Sequence, residues 1–172
     1  RHGPQYYYAT NGELQYIRVY NYDQFVGYSY QDQQGNEVDI IPLKNETGKV
    51  VAYYKNGKKS IEFERKNGWL QGKYLEYFPN GNLWEDYTYV DGDYHGGCKT
   101  YYANNILKSQ ENYYYGELDG ACKYYFPSGK IKKELSYKLG KLHGEAKYYD
   151  ETGKLKETKI YYNGRPVSTN SN

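Results

Sequence analysis

Glycine recurs along this chain at a fixed interval of 24 residues. From position 48 onward, three interleaved series follow this period, and asparagine replaces glycine at one point. The series are Gly48, Gly72, Gly96, Gly120 and Gly144; Gly57, Gly81, Asn105, Gly129 and Gly153; and Gly68, Gly92, Gly116, Gly140 and Gly164. Asparagine is the residue besides glycine that best tolerates a left-handed backbone, so the exception keeps the same conformation available. A fixed period over five units is typical of a repeat protein.

The same spacing extends toward the N-terminus with one interruption. Gly3 and Gly27 are again 24 residues apart, but the step from Gly27 to Gly48 is 21. We therefore predict two degenerate repeats in residues 3–47, five regular repeats in residues 48–167, and a polar tail in residues 168–172 that is expected to fray. The seven predicted repeats are 3–26, 27–47, 48–71, 72–95, 96–119, 120–143 and 144–167.

Each repeat has the sequence of a β-hairpin. Turns such as Asn67-Gly68 contain residues that accept positive φ angles, which tight hairpin turns require. The segments between turns, for example Lys73 to Phe78 and Leu83 to Val90, contain tyrosine, the second also β-branched residues, and they have the length of strands. No segment keeps a helical period of hydrophobic residues. The chain is therefore predicted to be a succession of hairpins.

The composition indicates a fold without a thick core. Only 38% of the residues are hydrophobic, 27 residues are tyrosine and methionine is absent. These values disfavour a compact doubly wound enzyme fold, and no apolar run approaches the roughly 20 residues of a membrane-spanning helix. Alternating positions carry Leu83, Tyr87 and Tyr89 on one side and Asp86 and Thr88 on the other, which predicts one apolar face. We therefore predict an all-β fold, an elongated single-layer antiparallel meander of about seven 24-residue β-hairpin repeats.

The C-terminal repeats resemble a known family. Residues 140–149 read Gly-Lys-Leu-His-Gly-Glu-Ala-Lys-Tyr-Tyr, and Thr152-Gly153 and Asn163-Gly164 follow at the two turns. This pattern is similar to the variant class of the MORN (membrane occupation and recognition nexus) repeat, whose bacterial members are often labelled YwqK-type antitoxins. The resemblance covers residues 48–167 well and residues 3–47 poorly. It implies stacked β-hairpins that serve as a non-enzymatic interaction scaffold, with an antitoxin-like role as one form of it.

A second kind of aromatic repeat is an alternative. Asn67-Gly68-Trp69, followed by Tyr74 and Tyr77, also resembles cell-wall-binding repeats that capture choline or glucan between aromatic rings. Such sites need paired tryptophan and tyrosine rings. The chain has only two tryptophans, and neither recurs at its equivalent position in another repeat. The sequence therefore favours the protein-binding scaffold over the carbohydrate-binding module.

A column of tyrosines is the candidate binding site. The sixth position of each regular repeat is tyrosine without exception, and tyrosine is enriched where protein interfaces gain most of their affinity. This tyrosine column consists of Tyr53, Tyr77, Tyr101, Tyr125 and Tyr149. It either binds a protein partner or stabilises the sheet by packing between neighbouring repeats.

Charge is distributed unevenly along the chain. Residues 1–47 contain 3 basic and 6 acidic side chains, whereas residues 130–172 contain 10 basic and 5 acidic ones. This basic end is either an ordinary solvated surface or a patch that attracts an acidic partner, including anionic lipid. The candidate residues are Lys130, Lys132, Lys133, Lys138 and Lys141. Nucleic acid is not an expected partner, because no basic stripe runs the full length of the chain.

Catalytic and metal-binding chemistry is not expected. His2, His95 and His143 each precede a glycine at one shared repeat position, which favours a structural role in the turn between hairpins. The three histidines lie in different repeats and are too far apart to bind one metal ion, and the sequence contains no cofactor-binding motif. The alternative, an enzyme, would need carboxylates that converge in the irregular repeat 27–47. Its candidates are Asp32, Glu37 and Asp39.

Cys98 and Cys122 occupy equivalent positions in neighbouring repeats. In a hairpin meander they lie two strands apart, about 9.6 Å, which exceeds the Cα separation of a disulfide. We therefore predict two reduced thiols. The sequence lacks an initiator methionine and starts inside a repeat, so we expect a mature or excised fragment, preferably of a bacterial envelope or secreted protein after signal removal.

Overall fold

A computed structural model describes residues 1–171, in which eighteen β-strands and no helix occur. The strands are β1 (Gly3–Tyr8), β2 (Leu14–Asn21), β3 (Gln24–Ser29), β4 (Ile41–Pro42), β5 (Gly48–Tyr53), β6 (Lys59–Lys66), β7 (Trp69–Tyr77), β8 (Leu83–Val90), β9 (Asp93–Tyr94), β10 (Gly96–Tyr101), β11 (Leu107–Tyr114), β12 (Glu117–Leu118), β13 (Gly120–Tyr125), β14 (Ile131–Lys138), β15 (Lys141–Leu142), β16 (Gly144–Tyr149), β17 (Leu155–Tyr162) and β18 (Arg165–Ser171).

The chain divides into two compact units, with unit 1 formed by Arg1–Gly92 and unit 2 beginning at Asp93. Unit 1 contains a four-stranded sheet in the order β1-β2-β3-β4 and a second sheet in the order β5-β6-β7-β8. In unit 2 the strands follow the order β10-β11-β13-β14-β16-β17-β18, with β12 on β11 and β15 on β14. These strand pairs are antiparallel, so the predicted all-β meander of hairpins is confirmed.

The first turn of each hairpin is a three-residue loop that ends in a left-handed residue. In the β5–β6 hairpin, the amides of Tyr54 and Gly57 donate to the carbonyls of Lys58 and Tyr54. Gly57 has a φ of 79°, and Asn105, its counterpart in the β10–β11 hairpin, has a φ of 66°. This is the pattern of a type I turn followed by a bulge residue with positive φ. Asn105 therefore adopts the left-handed conformation that its place in the glycine series predicts.

The second turn, between hairpins, has two residues that both adopt positive φ. Asn67 and Gly68, with φ angles of 50° and 84°, are one example. This geometry matches the right-handed twist of the strands and favours Asn-Gly or Asp-Gly. Three turns depart from that chemistry, because Tyr22, Tyr115 and Leu139 hold φ angles of 45°, 45° and 47° at the first position. A bulky side chain is strained in this region, so these turns are suboptimal.

Replacing Leu139 with asparagine is therefore expected to stabilise the protein. Leu139 is 62% exposed, so its side chain contributes little burial, while asparagine tolerates its φ of 47° better. We expect the free energy of unfolding to rise by about 1 kcal/mol, measured by chemical denaturation. Asn163→Leu, at the equivalent turn, is the converse control and should lower it by a similar amount. Equal stability of both variants and the native chain would contradict the turn geometry.

The C-terminal tail is more ordered than its sequence indicates. Residues 168–171, predicted to fray, continue β18 and pair with β17, for example Ser168 with Ile160. The reason is that strand pairing uses backbone groups, so a polar segment joins an edge once the Asn163-Gly164 turn has reversed the chain. Asn172 lies outside the described residues.

Unit 1 has two layers, which corrects the expectation of a single-layer sheet for this part of the chain. Phe63 and Ile61 of the second sheet are 1% and 0% exposed and pack with Tyr16, Tyr20 and other residues of the first sheet. The rings of Tyr16 and Phe63 meet edge-to-face at 6.3 Å. The Ser60 hydroxyl also donates a buried 2.7 Å hydrogen bond to the carbonyl of Gln15. The first sheet therefore covers the apolar face of the second.

The irregular repeat explains this arrangement. After β3, the chain makes a loop and returns as β4, which has only two residues. The Cβ of an alanine at position 27 would lie 2.8 Å from the carbonyl oxygen of Ile41, so the backbones approach as closely as glycine allows. Because β4 is too short for the next hairpin to pair along it, the first sheet ends there and the second sheet begins at Gly48.

Unit 2 has a thinner interior. Cys122 and Ala146 are fully buried and Leu135 is nearly so, and larger side chains pack around them. These surrounding side chains are Leu118, Tyr124, Tyr137, Leu142, Tyr148 and Tyr161, all half-buried. Small residues thus lie under tyrosine rings, which can bury ring area while the hydroxyl stays hydrated. Cys98 and Cys122 are both buried and reduced, as predicted.

Candidate functional site

The tyrosine column lies on the charged face of the sheets. Strand alternation places Tyr125 and Tyr149 opposite Tyr124 and Tyr148, which pack on the apolar side. The hydroxyl of Tyr149 donates a 2.7 Å hydrogen bond to the carboxylate of Glu134. Glu134 in turn forms a 2.9 Å ion pair with Lys123, directly across the β13–β14 ladder. We call this side, with its cross-strand ion pairs, the charged face.

Lysine–glutamate pairs set the electrostatics of the charged face. The ammonium of Lys123 and the hydroxyl of Tyr149 lower the pKa of Glu134. In unit 1, Lys49 and Lys59 lower the pKa of Glu62 in the same way. The lysine side chains are 37–53% exposed and the glutamates 19–29%, so water screens each pair and it stabilises the fold only slightly.

The column also has packing partners. Tyr53 contacts the ring of Tyr30 with 5.3 Å between centroids, and the ammonium of Lys59 lies 5.7 Å from the ring centroid of Tyr77. The carbonyl of Tyr77 accepts a 2.7 Å hydrogen bond from the hydroxyl of Tyr54. The equivalent bond, 2.9 Å, joins Tyr102 to the carbonyl of Tyr125. The column is therefore built into contacts between neighbouring repeats, which is the packing alternative; whether it also binds a partner stays a prediction.

The opposite side of unit 2 presents a second set of tyrosines. We define this aromatic face by Tyr124, Tyr137, Tyr148 and Tyr161, which surround buried Cys122, Leu135 and Ala146. Burial raises the pKa of Tyr137, and burial together with the Tyr161 hydroxyl raises the pKa of Tyr148 to about 12. The rings of Tyr137 and Tyr148 are thus partly shielded from water, while part of each side chain stays exposed. Within unit 2, every described strand of this sheet lies in the same layer, so none covers the aromatic face.

Carboxylates interrupt the aromatic face at Glu157, which is directly across the ladder from Tyr148, and at Glu111. Glu111 is directly across the ladder from Cys98 and therefore lies on the apolar side of β11. It accepts a 2.9 Å hydrogen bond from the hydroxyl of Tyr113. Burial, followed by the Glu111 hydrogen bond, raises the pKa of Tyr113, and the same two causes raise that of Tyr124. Tyr113 also contacts Tyr94, with 5.1 Å between ring centroids.

Three glutamates of unit 2 have an ion-pair partner that Glu111 lacks. Glu134, Glu145 and Glu157 each pair with a lysine at 2.8–3.1 Å. Among the residues that the structure describes, no basic nitrogen lies within 4.0 Å of the Glu111 carboxylate. Sequence reasoning missed this residue, although one signal was available: residues 63, 87 and 135, at the same repeat position, are aromatic or aliphatic, and only residue 159, a lysine, is also charged there.

The lysines of the basic end do not share a surface. Lys132 and Lys133 alternate to opposite faces, with Lys132 5.7 Å from the ring centroid of Phe126 and Lys133 4.0 Å from that of Tyr124. Lys130 donates to the carbonyl of Thr152 at 2.9 Å. Lys138 and Lys141 are paired across β14 and β15. An anionic partner for these residues stays a prediction.

The histidines lie beside tyrosines at bulges rather than in the turns. His143 precedes Gly144, whose φ is 91°, and its amide donates to the carbonyl of Ser136 at 2.8 Å. The two-residue turn is formed earlier, at Leu139-Gly140, so the expected place in the turn is corrected. His143 contacts Tyr162 at 5.2 Å between ring centroids, and His95 and His2 have equivalent tyrosine contacts. This shared packing supports a structural role.

Comparison with known families agrees with this geometry. A family model described as the MORN repeat variant matches residues 1–22, 70–91, 94–113, 118–139 and 142–163, together more than half of the chain. The chain belongs to the MORN repeat variant family. The match differs from the sequence resemblance in two places, because it includes residues 1–22 and omits residues 48–69. A search of curated proteins found no match.

The three acidic candidates of repeat 27–47 each have different surroundings. Asp32 accepts hydrogen bonds from the amides of Gln34 and Asn36 at 2.9 and 2.8 Å, so it stabilises its own loop. Glu37 is bridged to Gln31 and lies near Tyr6, and Asp39 is exposed. In residues 1–171 no three His, Cys, Asp or Glu side chains are placed to hold a metal ion.

The two tryptophans of the cell-wall-binding alternative lie at different ends of one hairpin. Trp69 lies over Gly92, where an added Cβ would be 2.5 Å from its ring, whereas Trp84 stacks on Phe78 at 5.6 Å. These two rings therefore do not form one ligand cage in this MORN protein. The described residues include no helix with the length and apolar character needed to cross a membrane.

Proposed function

We propose that this MORN repeat protein is a non-enzymatic scaffold that binds a protein partner through the aromatic face of unit 2. One observation carries the proposal: the apolar side of the hairpin sheet is covered in unit 1, whereas tyrosine rings at the same side of unit 2 are half-exposed. Rigid tyrosine rings bury much area at a low entropic cost and often dominate interface affinity. The resemblance to YwqK-type repeats makes a toxin-like protein one candidate partner.

Adjacent tyrosines on opposite faces provide a matched test. The aromatic-face variant is Tyr124→Ser with Tyr148→Ser, and the charged-face variant is Tyr125→Ser with Tyr149→Ser. A partner captured with the intact chain is purified and titrated against both variants by calorimetry, below their melting temperatures. We expect the aromatic-face variant to lose at least about thirtyfold in affinity, since interface tyrosines commonly contribute 2 kcal/mol or more.

The charged-face variant should bind like the native chain. If it loses affinity as strongly while the aromatic-face variant binds normally, the tyrosine column is the binding site and the present proposal is wrong. Thermal melting of both variants, followed by circular dichroism, distinguishes lost binding from lost folding.

A further inference from the structure

Turns between hairpins are docked on the preceding repeat by a side-chain acceptor. In three turns, the amide of the first turn residue donates to the side chain 20 positions earlier. These bonds run from Asn67 to the hydroxyl of Thr47 at 2.8 Å, from Asp91 to the amide oxygen of Gln71 at 3.0 Å, and from Leu139 to the carboxylate of Asp119 at 3.1 Å. The three acceptors share one repeat position, directly before a glycine of the series that includes Gly48. This position therefore supplies the partner that the turn amide needs.

Two repeats of unit 2 have histidine at the acceptor position. His95 and His143 lie 20 positions before Tyr115 and Asn163, the first residues of the following turns. Nδ1 of each ring is buried and has no hydrogen-bond partner among the described residues. A buried nitrogen is costly unless it meets a donor, and the turn amide is the donor that the equivalent side chains bind. Only an Nδ1 without a hydrogen can accept from an amide.

We propose that Nδ1 of His95 and Nδ1 of His143 are the unprotonated acceptors of these turn amides, which makes the docking of both turns sensitive to acid. At pH 8 each ring is neutral and carries its hydrogen on Nε2. In a protonated ring, Nδ1 also carries a hydrogen and faces the amide hydrogen, so the contact is complete at pH 8 and is lost as the pH falls toward 5.

The acid sensitivity is specific to certain turns. Thr47 and Gln71, the acceptors in unit 1, have no acidic proton in this range and keep their bonds. In unit 2, acid loosens the turns that follow β11 and β17. This device is independent of the partner proposed above, because it acts within one chain.

The other groups that the structure describes around the two rings belong to classes that keep their charge between pH 5 and 8. His95 contacts the rings of Tyr114 and Tyr115, and His143 contacts that of Tyr162. The charged side chains beside these positions and across the ladders are Asp93 and Glu117 near His95, and Lys138, Lys141, Glu145 and Arg165 near His143. The ordinary pKa values of tyrosine, lysine, arginine and carboxylic acids all lie outside this window.

Nitrogen NMR of the full chain tests the position of the proton directly. Long-range proton–nitrogen correlation spectra at pH 8 show which nitrogen of each ring carries the hydrogen, and single His→Gln variants assign the signals. We expect the hydrogen on Nε2 in both His95 and His143. A hydrogen on Nδ1 of either ring overturns the inference, because that nitrogen could not accept the turn amide.

Glutamine at both positions removes the titration and keeps an acceptor, since Gln71 makes the equivalent 3.0 Å bond. Chemical denaturation, followed through a probe attached to unit 2, gives the unfolding equilibrium constant at pH 8 and at pH 5. Between these values, the constant of the native chain should rise by about ten- to a hundredfold more than that of the His95→Gln, His143→Gln variant, because two hydrogen bonds are lost only in the native chain.

His2→Gln is the matched control. His2 has the same place relative to the turn at Tyr22, with 5.4 Å between their ring centroids, but its side chain is exposed, so a protonated ring stays hydrated. We expect this variant to keep the pH response of the native chain. An equal response of the native chain and the double variant, or a response that His2→Gln removes instead, overturns the inference.

Discussion

Replacing Phe63 with alanine is expected to lower the free energy of unfolding by about 3–5 kcal/mol. Phe63 is 1% exposed and lies where the two sheets of unit 1 meet. Its ring contacts Tyr16 of the first sheet at 6.3 Å and stacks on Tyr74 of its own sheet at 5.3 Å. Truncation leaves a cavity between two layers that the long strands cannot close, so both burial and packing are lost.

Tyr87→Ala is the control for this prediction. Tyr87 occupies the same repeat position one repeat later but is only half-buried, so its truncation should cost about half as much. Both variants are measured by urea denaturation of the full chain, with unit 1 followed through a probe attached there. Equal losses below about 2 kcal/mol for the two variants would show that the first sheet does not cover Phe63.

Stability is expected to fall steeply above pH 10. Burial raises the pKa of Tyr54 to about 12 and also raises that of Tyr16 and Tyr74. A raised pKa means that the folded chain holds the proton more tightly, so stability is complete below pH 10 and is lost as the pH rises toward the folded pKa. For Tyr54, which is 1% exposed, a shift of about two units corresponds to roughly 3 kcal/mol.

Tyr54→Phe tests this alkaline loss. Phenylalanine already occupies the equivalent positions 78 and 126, so the substitution fits the repeat. At pH 8 it should cost about 1 kcal/mol, because the hydrogen bond to the carbonyl of Tyr77 is lost. Between pH 10 and 12 the variant should lose less stability than the native chain. If the unfolding free energies of the variant and the native chain fall by the same amount between pH 10 and 12, ionisation of the Tyr54 hydroxyl does not contribute to the alkaline loss of stability.

The repeat architecture was predictable because its determinants are local. Glycine and asparagine at fixed spacing specify positive φ angles, and the turns adopt them, including Asn105. Strand alternation likewise assigns Leu135 and Tyr137 to one face and Glu134 to the other. These features depend on residues within one hairpin, so a single sequence contains them.

The second layer of unit 1 was not predictable because it depends on distant residues. The Ser60 hydroxyl and the Gln15 carbonyl that join the two sheets are 45 positions apart, and neither residue has a local signature of this contact. The three residues missing from repeat 27–47 indicated that the 24-residue period is interrupted there, but they did not indicate that the next sheet would pack against the first. A tertiary contact of this kind overrides the expectation from hairpin propagation alone.

The candidate site was only partly predictable, for a related reason. Constant tyrosine at the sixth position marks a repeated environment, but it does not show whether that environment is a binding surface. The register across the bulge next to Tyr125 and Tyr149 determines the face, and the hydrogen bond from Tyr149 to Glu134 identifies it as the charged one. Glu111 was visible only as a carboxylate at a repeat position that is apolar in three repeats and is Lys159 in the last, and its surroundings became clear only from the contacts of Tyr113.

Hydroxyl-radical footprinting of the full chain, read by mass spectrometry, tests the central claim that one apolar face is covered and the other is open. Tyr16 and Tyr54 of unit 1 are each 1% exposed, whereas Tyr148 and Tyr161 of the aromatic face are half-exposed. We predict rapid oxidation of Tyr148 and Tyr161 and protection of Tyr16 and Tyr54. Protection of all four tyrosines to the same degree, or faster oxidation of Tyr16 than of Tyr148, would contradict the account.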